Sequence, residues 1–137
     1  MSTLKVNTIQ DASGGNASTA AELNSGRCKV WVNFNGGSST LTVFDSYNVS
    51  SVTDNSTGVY TINFSITMAN NDFALVTNQR LDTSGGAPSI VHTGNEHDDN
   101  TTTTAKIVCG TGNQNAAGGS GNIADVTSVA VAIFGDV

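Results

Sequence analysis

The chain has 137 residues, a formal net charge of −6, 37% hydrophobic residues and only 12% charged ones. That length suits one domain, and five Lys and Arg residues in all supply too little positive charge for a nucleic-acid partner. With Thr, Ser, Asn and 15 Gly filling the space that charge usually takes, the composition excludes an ordinary disordered segment and points to turn-rich β-structure.

Leu4, Val6 and Ile9 form a short β-like piece that runs into Asp-Ala-Ser-Gly-Gly-Asn, a turn-rich stretch that reads as a hinge or linker. Thr19 with Glu22 three residues later has capping-box spacing and Gly26 is a suitable stop, so one or two helical turns are predicted there. No heptad repeat follows, which excludes a long coiled coil. Residues 1–26 are thus read as an N-terminal strand, linker and short helix, and 27–137 as the main domain.

From Arg27 the period becomes two. Cys28, Val30, Val32 and Phe34 share one face, and Lys29, Trp31 and Asn33 the other. Asn-Gly-Gly-Ser-Ser signals a hairpin, with Leu41 to Tyr47 as the returning strand. A further short strand should reach Val52, turn through Asp-Asn-Ser-Thr-Gly, and continue with Tyr60, Ile62, Phe64 and Ile66 pointing inward. Asp72 to Arg80 is another strand. Thr83 to Asn100 reads as loop around a short Ile90–Val91 strand, Thr102 to Cys109 as a Thr-rich strand, and Gly110 to Asn122 as a flexible loop. Ala124 to Phe134 closes the pattern. Its Val129, Val131 and Ile133 face one way and Ala130, Ala132 and Phe134 the other, so both faces should be covered, one of them by a neighbouring subunit. About eight short strands at this spacing predict an all-β chain, an antiparallel β-sandwich or jelly-roll-like domain.

Chemistry-bearing patterns are sparse. His92, Glu96, His97, Asp98 and Asp99 are the one cluster of ligand-type side chains, but their spacing matches no zinc pattern, and charged groups in a polar loop are usually solvated. No nucleophile elbow, phosphate loop or His-Glu-X-X-His motif occurs. The expectation is therefore no enzyme, no cofactor and no metal. Cys28 and Cys109 read as two buried free thiols, with a disulfide between their strands as the alternative. No run of 18 apolar residues predicts a membrane span, and the stretch from Met1 to Ser13 lacks the apolar core of a signal peptide. The Asn-X-Ser/Thr triplets at Asn16, Asn48, Asn55, Asn63 and Asn100 then read as chance in an Asn/Thr-rich chain. Most aromatics sit in alternating runs and should be core. Trp31, opposite Val30 and Val32, is the exception, a candidate for an interface or for stacking on a sugar.

Three phrases in succession, STLKVNTIQDASGGN, GRCKVWVNFNG and SYNVSSVTDNSTGVYTINFSITMANNDFALV, resemble a module of tail-fibre-like structural proteins of tailed bacteriophages, particularly marine and cyanobacterial phages. The resemblance implies a homotrimeric β-rich virion part, assembled in the host cytoplasm, with no cofactor. Its implied partners are itself, other virion proteins and, through exposed loops, a host-surface glycan or protein. On this reading Leu4, Val6 and Ile9 form a virion tether, and Trp31, Val129, Val131 and Ile133 are candidate subunit-interface residues. Two functions stand: a tail-fibre or tail-tip protein contributing to host attachment, and a capsid decoration or cement protein that stabilises the shell.

Overall fold

The structure is a computed structural model and describes residues 2–3, 5–37, 40–80, 99–111 and 122–137. Its elements in chain order are β1 (Thr8–Ile9), β2 (Ser18–Thr19), α1 (Ala20–Gly26), β3 (Val30–Asn35), β4 (Thr42–Tyr47), β5 (Val49–Ser56), β6 (Val59–Phe64), β7 (Ala74–Arg80), β8 (Thr104–Val108), β9 (Gly110–Thr111), β10 (Asn122–Ile123) and β11 (Ser128–Phe134). Among the described residues the chain is all-β with one short helix, and the strands pair antiparallel. A four-stranded sheet has the order β4-β3-β11-β7 and a three-stranded sheet the order β5-β6-β8. Two short ladders pair β1 with β2 and β9 with β10.

Period-two alternation decides which side chains meet. Along β3, Val30, Val32 and Phe34 are buried while Trp31, Asn33 and Asn35 are half-buried. β6 repeats this with Tyr60, Ile62 and Phe64, β8 with Ala105 and Ile107, and β11 with Val129, Val131 and Ile133. These inward faces, from both sheets, form one core that Met68, Phe73, Cys109 and Val126 extend. Phe34 meets Tyr60 edge-on with ring centroids 5.1 Å apart, and Phe64 meets Phe73 at 5.7 Å. Each fully buried aliphatic or aromatic side chain contributes about 1.5–3 kcal/mol, so a charge introduced at Val131 would break the fold.

Several sequence expectations hold and several need correction. α1 starts at the predicted cap: Glu22 N donates to Thr19 Oγ1 at 3.1 Å, and Thr19 N donates to Glu22 Oε2 at 2.7 Å. β5 runs to Ser56 rather than stopping at Val52, because its polar residues keep pairing with β6 up to Ser56 opposite Val59. The turn is accordingly only Thr57-Gly58, with Gly58 at φ +67°, a conformation that favours glycine. Lys29 does not lie in solvent beside Trp31. It is buried, and its ammonium reaches the last turn of α1, donating to Asn24 O and, at 3.0 Å, to Asn24 Oδ1. A cation there satisfies carbonyls that a helix end leaves open.

The Asp-Ala-Ser-Gly-Gly stretch, read as a hinge or linker, forms a hydrogen-bonded turn. Asp11 Oδ1 accepts from Ser13 N at 3.0 Å, Ser13 Oγ at 2.7 Å and Gly15 N at 2.8 Å, and Asp11 Oδ2 accepts from Asn16 Nδ2 at 3.1 Å. These bonds fold β1 back onto β2, with Thr8 opposite Thr19 and Ile9 opposite Ser18. The stretch read as a flexible loop from Gly110 to Asn122 is likewise paired at its base, where β9 meets β10. The expected Ile90–Val91 strand lies outside the described residues.

Candidate functional site

Directly opposed residues on antiparallel neighbours project from the same face. In the four-stranded sheet Tyr47 lies opposite Trp31, Trp31 opposite Ala132, and Ala132 opposite Val76. An uncharged, largely apolar row therefore crosses all four strands on the side away from the core, and Phe134 opposite Ala74 extends it. Tyr47 is 45% and Val76 59% exposed. Trp31, Ala132 and Phe134 are half-buried. The adjacent row, Asp45, Asn33, Ala130 and Asn78, is mostly polar, so the apolar band occupies one end of the face.

This placement corrects the interface residues expected from sequence. Trp31 is on the outer face as expected. Val129, Val131 and Ile133 are 0–3% exposed inside the chain's own core, so they cannot also touch a neighbour. The face of β11 available to a second subunit is the other one, Ala130, Ala132 and Phe134. Its residues are half-buried, so the single chain leaves this side of the strand only partly covered.

The outer face of the three-stranded sheet is of opposite character. Thr53, Thr61 and Lys106 form one row and Ser51, Asn63 and Thr104 the next. Asn63 Nδ2 donates to Ser51 Oγ and Thr53 Oγ1, both at 3.0 Å, and Asn55 Nδ2 donates to Thr61 Oγ1 at 2.8 Å. Lys106 Nζ and Asp99 Oδ2 form an ion pair at 2.5 Å. Asn55, Ser56, Val59, Thr61, Asp99 and Lys106 line an open groove of about 560 Å³. Sequence reasoning missed this groove. Ser51, Thr53 and Asn55, alternating with Val52 and Asp54, and the threonine run Thr101–Thr104 were its visible signal.

A third cluster joins the two sheets. Asp125 Oδ1 accepts from Gly58 N at 2.6 Å and from Tyr60 Oη at 3.0 Å, and Tyr60 Oη also lies 3.1 Å from Gly36 O. Burial first, then the Asp125 carboxylate, raises the Tyr60 hydroxyl well above the ordinary tyrosine range. The same two causes push the Cys109 thiol up to about 12. Both groups are thus held neutral near neutral pH, and a neutral buried thiol is a packing group, not a nucleophile. Cys28 and Cys109 are both free thiols; Cys109 is buried, whereas Cys28 is half-buried and donates to Val30 O at 3.2 Å.

Of the acidic and histidine cluster, His92, Glu96, His97 and Asp98 lie outside the described residues, while Asp99 pairs with Lys106. Among the described residues no three metal-ligating side chains converge, and no helix is long and apolar enough to cross a membrane. Leu4 is outside the described residues. Val6 and Ile9 are 43% and 54% exposed, and Leu23 on α1 is 46% exposed, so the N-terminal hairpin and helix are ordered by polar turns and caps with no buried side chain in the helix. Compared with known proteins, the chain matches no protein-family model, no curated protein and no solved structure.

Proposed function

We propose that the chain is a structural protein of a tailed-bacteriophage virion, of tail-fibre or tail-tip type, built as a homotrimer of β-sandwich subunits. The observation that carries the assembly is the uncharged row Tyr47–Trp31–Ala132–Val76 on the outer face of the four-stranded sheet. A chain with net charge −6 repels its copies over most of its surface. This row is where copies meet without that penalty, and burying it gains about 25 cal/mol per Å². The sandwich reading is supported by the single core that both sheets feed.

The virion role rests on the resemblance of the three phrases between Ser2 and Val76 to phage fibre modules. The N-terminal hairpin is the tether, presenting Val6 and Ile9 to another virion protein from a preformed turn. The loops and the polar sheet face contribute host attachment, and the protein assembles into particles in the host cytoplasm.

The test is location and stoichiometry. Gold-labelled antibody against the chain, or cryo-EM of particles, should place it at the tail tip or along a fibre, and light scattering of the purified chain should give three times the monomer mass. Label distributed over the capsid would favour the shell-decorating function instead. Absence from purified particles, or a monomer at micromolar concentration, would overturn the proposal.

A further inference from the structure

The end of β3 carries chemistry that the assembly does not use. Residues 35–37 read Asn-Gly-Gly, and Asn35–Gly36 is the one Asn-Gly pair in the sequence. An asparagine followed by glycine is open to attack by the next backbone nitrogen on its side-chain amide carbon, because glycine has no Cβ to hinder the approach. Close packing is what demands the glycines here. A Cβ on Gly36 would overlap the Tyr60 hydroxyl and ring, and one on Gly37 would lie 3.1 Å from Thr127 N. The same clasp holds the reacting groups. Gly37 N donates to Asn35 Oδ1 at 2.9 Å, which draws electron density from Cγ and would stabilise an oxyanion formed there. Gly36 N, the nucleophile, donates instead to Val126 O at 3.0 Å, and Gly36 O accepts from Tyr60 Oη at 3.1 Å. The electrophile is primed and the nucleophile is held back. From this arrangement we infer that Asn35 is a self-modifying site, shielded while the Gly36–Val126 bond is closed and converted to aspartate or isoaspartate when it opens.

In the open turn Gly36 N gives its proton to hydroxide and bonds to Asn35 Cγ. The Cγ–Nδ2 bond breaks, and the amide nitrogen takes up a proton from water and leaves as ammonia. A five-membered imide remains. Water then adds to one of its two carbonyls: breaking the new N–Cγ bond gives aspartate, and breaking the original peptide bond gives isoaspartate. Water is the one co-reactant, and it has access, since Asn35 is half-buried and Gly37 exposed. Either product places a negative charge next to Gly36, whose carbonyl shares the Tyr60 hydroxyl with the Asp125 carboxylate. Isoaspartate also lengthens the backbone by one methylene where Gly36 is buried. Both changes oppose closure of the clasp, so the step runs one way. The site depends on the turn alone and is independent of the virion role.

The experiment incubates the full chain in mildly alkaline buffer, folded and in denaturing guanidinium chloride, and follows each asparagine by peptide mapping with mass spectrometry. In denaturant residue 35 should be the first to gain about one mass unit, as a mixture of aspartate and isoaspartate. In the folded chain that gain should be slower by about tenfold or more, and hydrogen exchange at the Gly36 amide should be slowed with it. Tyr60→Phe removes the hydroxyl that holds Gly36 O, and should speed both modification and Gly36 exchange by about tenfold, the value of a hydrogen bond to a charged acceptor. Asp125→Ala, which frees that hydroxyl from its other side, should act in the same direction. The inference is overturned by equal rates at residue 35 in the folded and denatured chain, or by another asparagine reacting first in denaturant. Modification that stays at the wild-type rate in both folded variants would overturn it as well.

Discussion

Removing a single oxygen from the core tests how the two sheets are locked together. Tyr60→Phe deletes the hydroxyl that lies 3.0 Å from Asp125 Oδ1 and 3.1 Å from Gly36 O. The ring remains packed edge-on against Phe34, so the loss is confined to hydrogen bonding. A bond to a charged acceptor is worth about 1.5–3 kcal/mol, and the lower end applies because Asp125 lies at the surface and keeps the amide of Gly58. A destabilisation of about 1.5–2 kcal/mol lowers the Tm of a chain this size by about 5–7 °C. Thermal unfolding followed by far-UV circular dichroism or calorimetry reads this directly. Gly36→Ala serves as the companion variant: its Cβ would sit 2.3 Å from Tyr60 Oη and 2.5 Å from Cζ, so it should cost more than Tyr60→Phe. A Tyr60→Phe protein that melts at the wild-type temperature would show that the hydroxyl does not help hold the sheets together.

The two faces of β11 should respond differently to the same charge: Val131→Asp should prevent folding, whereas Ala132→Asp should fold, keep its circular dichroism spectrum and run as a monomer in light scattering. Stability should fall in alkali, because the folded-state values of Cys109 and Tyr60 are both raised. That stability is complete below the ordinary thiol value near 9 and is lost as pH rises toward the folded value of about 12, so Cys109→Ala should flatten part of the slope in denaturant titrations between those limits. Asp11→Ala should abolish hydrogen-exchange protection at the amides of Ser13 and Gly15 while leaving global melting unchanged. In the wild type the same protection should persist above the ordinary Asp value of 3.8 and vanish as pH falls through the lowered folded value, because the hydrogen bonds from Ser13 and Gly15 favour the ionised carboxylate.

The strands were legible in the sequence where one face alone is apolar. Val30, Val32 and Phe34 alternate with Trp31 and Asn33, and the structure buries the predicted set. Where both faces are apolar, as in β11, periodicity cannot say which turns inward. The β-branched Val129, Val131 and Ile133 fill the core, and the smaller Ala130 and Ala132 are left outside with Phe134. Lys29 was misplaced because its burial depends on carbonyl and amide oxygens of Asn24, supplied by the helix folding back. The turn at Asp11 looked like a linker because composition shows small residues but not the four donors that one carboxylate collects. The polar groove escaped notice for a related reason: Asn55, Thr61, Asp99 and Lys106 come from separate stretches, and pairing of β6 with both β5 and β8 is what brings them together.

The strand order has a consequence for how the protein comes to be folded. β11 sits between β3 and β7, and among the described residues it is the sole partner of β7. Asn33 and Ser128, which meet across this sheet, are 95 residues apart along the chain. Synthesis therefore delivers β3 with only its hairpin neighbour β4, and β7 with no neighbour in its sheet, well before residues 128–134 exist. Closing such a distant pair costs chain entropy before any contact repays it, which makes folding slow. Until it happens, β3 presents an unpaired edge with the apolar face of Val30, Val32 and Phe34, and β7 presents unpaired backbone, to other nascent copies. The four-stranded sheet thus cannot be completed until β11 is made, and a chain interrupted before Ser128 should aggregate rather than form a shortened version of the fold.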